Sequence, residues 1–123
     1  MNTKKFEKEM KKEKKGNKTY DYSAVRSAVK KSVERTSIKN PSLPNGFKSL
    51  VGVSEECGEL IQEISKFIKK KDNRLDLLQE LADVQLGLYY VQEVCGISDE
   101  ELELAIRIKL GDQVTAKASD KMF

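Results

Sequence analysis

From Phe47 to Cys95 apolar residues recur every three or four positions, and nowhere does the chain alternate with period two for long enough to make a strand. That spacing commits the segment to amphipathic helices and the chain to an all-α fold. Four helices are expected. Tyr22, Val25, Val29 and Val33 place the first between about Tyr20 and Thr36. Both prolines, Pro41 and Pro44, fall with Asn45 and Gly46 in the loop that follows. The second helix runs from near Phe47 to about Lys70, with Val53, Cys57, Leu60, Ile61, Ile64, Phe67 and Ile68 as its apolar positions. Asp72-Asn73 breaks it and offers caps for a third helix, from about Arg74 to Cys95, which Gly96 closes. Ser98 with Glu101 reads as a capping box, flanked by Ile97 and Leu102, and starts a fourth helix from Asp99 to about Lys109.

A chain of 123 residues is one domain's worth of sequence. With 38% hydrophobic and 35% charged residues its core is lean, of the kind a partner subunit completes. The third helix carries a second apolar face in Leu75, Leu78, Ala82, Leu86 and Tyr89, so it is expected to be buried on two sides. Either a second copy or the first helix covers that face. The chain has no His, which excludes Ser-His-Asp and Cys-His catalysis and imidazole-bound zinc. Its two cysteines, Cys57 and Cys95, are too few for a Cys-only zinc site and read as reduced core thiols. No apolar run reaches the length of a membrane span and no signal-like stretch opens the sequence, so a soluble, cytoplasmic protein with no membrane partner is expected.

Charge is unevenly placed. Residues 1–18 hold eight Lys and three Glu, net +5, and leave −2 for the remainder of a chain whose net charge is +3. This segment has no Arg and Phe6 as its one aromatic, so it is equipped for neither base readout nor stacking. It is expected to be a flexible or frayed basic extension, nucleic acid is not among the expected partners, and residues 19–123 form the helical domain.

The chemistry lies in the acids. Glu56 and Glu59 stand three apart on the second helix, and Glu80 and Asp83 three apart on the third, so each pair shares a face. At roughly 100° per residue, the second acid of each pair sits about 60° from the first, on the side away from the apolar stripe. Antiparallel packing across a short turn would bring the two pairs to one edge of a shared core. Glu63 adds a third acid to the Glu56–Glu59 face without evident Lys partners at matching positions. Converging carboxylates raise one another's pKa or capture a cation. Oxygen-only ligands select hard cations, Mg²⁺ first, with Mn²⁺ as the nearest substitute and Ca²⁺ after. Mg²⁺ usually shares its shell with phosphates, so a phosphate-bearing substrate follows.

Glu56-x-x-Glu59 followed after twenty positions by Glu80-x-x-Asp83, in the local text Glu55-Glu56-Cys57-Gly58-Glu59-Leu60 and Glu80-Leu81-Ala82-Asp83-Val84, resembles the signature of the MazG-like all-α nucleoside triphosphate pyrophosphohydrolases. That superfamily includes dimeric dUTPases, dCTP pyrophosphatases and phosphoribosyl-ATP pyrophosphohydrolase. The likeness spans about Phe47 to Lys109. It implies a four-helix MazG-like bundle completed by oligomerisation, as dimer or tetramer. It also implies Mg²⁺-dependent hydrolysis of a nucleoside triphosphate to monophosphate and pyrophosphate, in nucleotide pool control or house-cleaning. Carried over residue by residue, it makes Glu56, Glu59, Glu80 and Asp83 metal ligands and catalytic acids. Glu55 becomes the candidate base that activates water, although it lies about 100° round the helix from Glu56. Relatives often carry Lys-x-x-x-Asn-x-x-Arg on the fourth helix for phosphate contacts. Here Lys109 fits the first position, while Gln113 and Ala116 depart from the pattern and Lys117 is adjacent. Lys66, Lys69, Lys70 and Arg74 form a basic cluster near the helix turn, read as a solvated rim. Three alternatives stand beside the hydrolase: a catalytically weak nucleotide- and metal-binding module, a purely structural helical oligomer, and a nucleic-acid binder that rests on the Lys-rich residues 1–18 alone.

Overall fold

The computed structural model describes residues 2–16, 19–39 and 46–115. They form five helices: α1 (Thr3–Gly16), α2 (Tyr22–Lys39), α3 (Phe47–Ile68), α4 (Arg74–Cys95) and α5 (Asp99–Thr115). No strand occurs among the described residues, so the all-α expectation holds, and α2 to α5 fall where the apolar spacing put them. The helix beyond the expected four is α1. None of the five is long and apolar enough to cross a membrane.

The scaffold is the α3–α4 hairpin, which has the most extensive helix contact in the chain. The turn is built from backbone. The amides of Lys69, Lys70 and Lys71 donate to the carbonyls of Ser65, Phe67 and Lys66, and Lys70 adopts a left-handed φ of 60°. Asn73 stands at the N-cap of α4, yet its side chain makes no cap hydrogen bond there. It reaches back across the turn instead, donating Nδ2 to the Glu63 carbonyl at 2.9 Å and to Glu63 Oε2 at 2.7 Å. The helices pack tightly at Gly87, where a Cβ would stand 3.0 Å from Val53 Cγ2. At the other end, the left-handed Gly46 (φ 81°) enters α3 with no room for a side chain, since a Cβ would lie 2.4 Å from Val94 Cγ2. The prolines before it lie outside the described residues.

α2 packs on the C-terminal half of α4, burying Val29 and Val33. A polar clasp ties this layer to α5. Buried Gln92 accepts from Arg26 Nη2 at 3.1 Å and donates to Asp99 Oδ1 at 3.0 Å. Arg26 also pairs with Asp99 and lies 4.4 Å over the Tyr89 ring. Gly96 closes α4 in the left-handed conformation, as expected, and the capping box forms, with Glu101 N donating to Ser98 Oγ at 3.1 Å and Ser98 N to Glu101 Oε1 at 3.2 Å. Beyond that first turn α5 projects from the body, exposed at every position from 99 to 111. α1 rests on the start of α4, where the Thr3 hydroxyl donates to Asp76 Oδ1 at 2.6 Å.

The second apolar face of α4 is therefore covered only in part. α2 takes Tyr89, while Ala82 and Leu86 stay exposed. The buried apolar residues among those described are Val29, Val33 and Val84. Ile61, Ile64, Phe67 and Ile68 of α3 face solvent, as do Leu81 and Leu88 of α4.

Candidate metal centre

The hairpin brings three of the four expected acids together. Glu56 and Glu59 from α3 and Glu80 from α4 each offer a carboxylate oxygen, and the three oxygens lie within 4.8 Å of one another. The spacing explains the convergence: acids three apart share a helix face, and the antiparallel hairpin turns the two faces to the same edge. Counted as carboxylates, Glu56 Oε2 and Glu80 Oε2 are buried with no donor in reach. Burial, then hydrogen bonding to Glu59 and its charge, then Glu56, push the Glu80 carboxyl up to about 7. Burial and the charges of Asp83 and Glu59 raise Glu56 as well. Protonation of one carboxyl or binding of a cation would relieve this repulsion. Hard divalent cations suit the cluster, because the donors are all oxygens and the two orphaned atoms lack any other partner.

The remaining expected residues are placed differently. Asp83 is exposed and stays outside the 4.8 Å group, although its charge acts on Glu56 and it shares a groove with it. Glu55 points outward on α3. Lys109 is exposed on α5 and lines neither cluster nor groove. The side chain of Gln113, and Ala116 and Lys117 altogether, lie outside the described residues. Glu63 is a correction: it has partners. Lys66, one turn on, pairs with it at 3.1 Å, and Asn73 donates to it. The bond from Asn73, then that from Lys66, hold the Glu63 carboxyl below its ordinary value. Glu63 is thus committed to the turn and does not join the cluster.

One feature escaped the sequence reading. A groove of about 220 Å³ runs between α3 and α4 beside the acids, with Glu56 and Asp83 at its acidic edge. Ser49, Gly52, Val53, Leu86, Gly87 and Tyr90 make its walls. The signal that would have found it is helical spacing: Gly52 precedes Glu56 by four residues and Gly87 follows Asp83 by four. On the acid face Gly52 leaves open space next to the carboxylates, while Gly87 lets α4 approach Val53 on the groove wall. Comparison with known proteins finds no family model, no curated protein and no solved structure that matches the chain.

Proposed function

We propose that the chain is a Mg²⁺-dependent nucleoside triphosphate pyrophosphohydrolase of the MazG-like type, acting in the cytoplasm as a homo-oligomer. The observation that carries this reading is the meeting of Glu56, Glu59 and Glu80 beside a groove, two of them with a carboxylate oxygen that has no hydrogen-bond partner. In the reaction, water attacks the α-phosphorus, the bond to the bridging α–β oxygen breaks, and pyrophosphate leaves with the electron pair. A bound Mg²⁺, for which Mn²⁺ can substitute, would neutralise phosphate charge and polarise the reacting groups. Glu56, Glu59 and Glu80 would hold it, with Asp83 completing the set from the next turn of α4. The apolar groove walled by Val53, Leu86 and Tyr90 would take part of the nucleoside, and Lys109 would reach phosphate only from another subunit or after α5 moves. Glu55 is retained as the candidate base.

Oligomerisation is supported by exposure. Ile61, Ile64, Phe67 and Ile68 of α3 and Leu81, Leu86 and Leu88 of α4 are exposed large hydrophobics on one hairpin. A standard interface removes about 800 Å² from each partner, and the apolar face of α3 and α4 with the exposed α5 is where it would form. Two free cysteines suit a reducing compartment.

Glu59→Gln and Asp83→Asn are expected to abolish pyrophosphate release at saturating Mg²⁺ while leaving helix content unchanged. Full turnover in either variant would overturn the assignment. The position of Lys109 away from the cluster favours, as a second reading, a module that binds nucleotide without hydrolysing it. Nucleotide affinity without pyrophosphate release would identify that case.

A further inference from the structure

The folding of residues 3–16 into α1 sorts its side chains by chemistry. At roughly 100° per residue, Phe6 and Met10 fall on one side of the helix. Lys4, Lys8, Lys11, Lys12 and Lys15 fall within about 60° of the opposite direction, as does Lys5, which with Lys11 stands at the flank and also lines the cleft beside Phe6. Half-buried Phe6 and exposed Met10 line a cleft against Leu75 of α4, and the Thr3–Asp76 bond pins the start of the helix. The lysine side therefore faces out. Lys11 pairs with Glu7 at 3.8 Å, an exposed contact of the i,i+4 kind, and the other five make no ion pair among the described residues.

From this arrangement we infer that α1 is a docking surface for the phosphodiester backbone of a nucleic acid, bound without regard to sequence. Lys4, Lys8, Lys11 and Lys15 form a row with steps of about 4.5–6 Å and a length of about 16 Å. A duplex strand presents a phosphate about every 3.4 Å of its axis, so the row spans about five phosphates. The outward face carries no aromatic and no Arg, so it neutralises phosphate without reading bases. A lipid surface fits less well. A helix lying on a bilayer turns its apolar side to the lipid, and here half-buried Phe6 of that side is set against Leu75, which leaves Met10 as the exposed apolar residue of α1. The surface stands apart from the acid cluster, whose residues take no part in it.

The test is binding of the full-length protein to a labelled short duplex of mixed sequence, across a salt series, alongside vesicles of phosphatidylcholine with phosphatidylserine. Lys4, Lys8, Lys11, Lys12 and Lys15 predict a slope of log affinity against log salt of up to about −4.5. The triple variant Lys4→Glu, Lys8→Glu, Lys15→Glu is expected to lower affinity more than tenfold at about 50 mM salt and to flatten the slope by about 3. Circular dichroism checks that the helices persist, and the milder Lys4→Gln, Lys8→Gln, Lys15→Gln set gives the same direction if the reversal disturbs the fold. Lys69→Glu in the α3–α4 turn and Glu80→Gln in the cluster are expected to leave affinity within twofold. No binding at low salt, equal binding by both folded triple variants, or tighter capture by the vesicles would each overturn the inference.

Discussion

At the scale of single residues, the energetics turn on carboxylates held where they repel. Glu80 carries a pKa of about 7 in the fold, against 4.5 for an ordinary glutamate. Between those values the folded chain binds a proton that the unfolded chain has released. Stability contributed by that proton is present at low pH and is lost as pH rises through about 7. The metal-free protein should therefore lose Tm between mildly acidic and mildly alkaline pH, and Glu80→Gln should flatten that slope and raise Tm at the alkaline end. Mg²⁺ should restore Tm in the parent and release protons as it binds, read by calorimetry in buffers of different ionisation enthalpy. A Tm independent of pH and of Mg²⁺ would contradict this account. Asn73 is the opposite kind of residue, because its bond to Glu63 Oε2, with that from Lys66, favours the ionised carboxylate, while its bond to the Glu63 carbonyl holds the turn. Asn73→Ala is expected to cost about 1–3 kcal/mol, seen as a lower urea midpoint. The acid pairs were legible in the sequence because i, i+3 spacing fixes a shared face. The Asn73–Glu63 clasp was not, because it crosses a turn over ten residues and Asn before a helix reads as a cap.

At the scale of elements, the periodic apolar spacing located α2 to α5, while α1 passed as a frayed extension because it offers just Phe6 and Met10 as large apolar residues. What makes α1 a placed helix is its contact with Asp76 and Leu75, and contacts between distant segments are not written in local pattern. The α3–α4 hairpin makes two glycines behave oppositely. A Cβ at Gly58 meets nothing within 4 Å, so Gly58→Ala should stabilise the protein by about 0.5–1 kcal/mol through helix propensity alone. A Cβ at Gly87 meets Val53 at 3.0 Å, so Gly87→Ala should spread the hairpin, lower the denaturation midpoint and loosen the acid cluster. Equal effects of the two substitutions would mean that the helices do not approach at Gly87.

At the scale of the whole molecule, the lean core anticipated from composition is visible as exposure. Ile68 remains 73% exposed and Ile61 64%, on the face of the hairpin that bears the apolar stripes. Composition foretold that something must cover such a face; what covers it lies beyond one chain's sequence pattern. The oligomer proposed above predicts that Ile61→Glu with Ile68→Glu converts the parent assembly to monomer in sedimentation, and an unchanged mass would place the subunit contact elsewhere. The most direct measurement of the central claim is pyrophosphate release from a panel of ribo-, deoxyribo- and modified nucleoside triphosphates, with Mg²⁺ and with EDTA. The account predicts monophosphate and pyrophosphate in equal amounts, abolished by EDTA. Silence across the panel with Mg²⁺ present, or release that persists in EDTA, would contradict it.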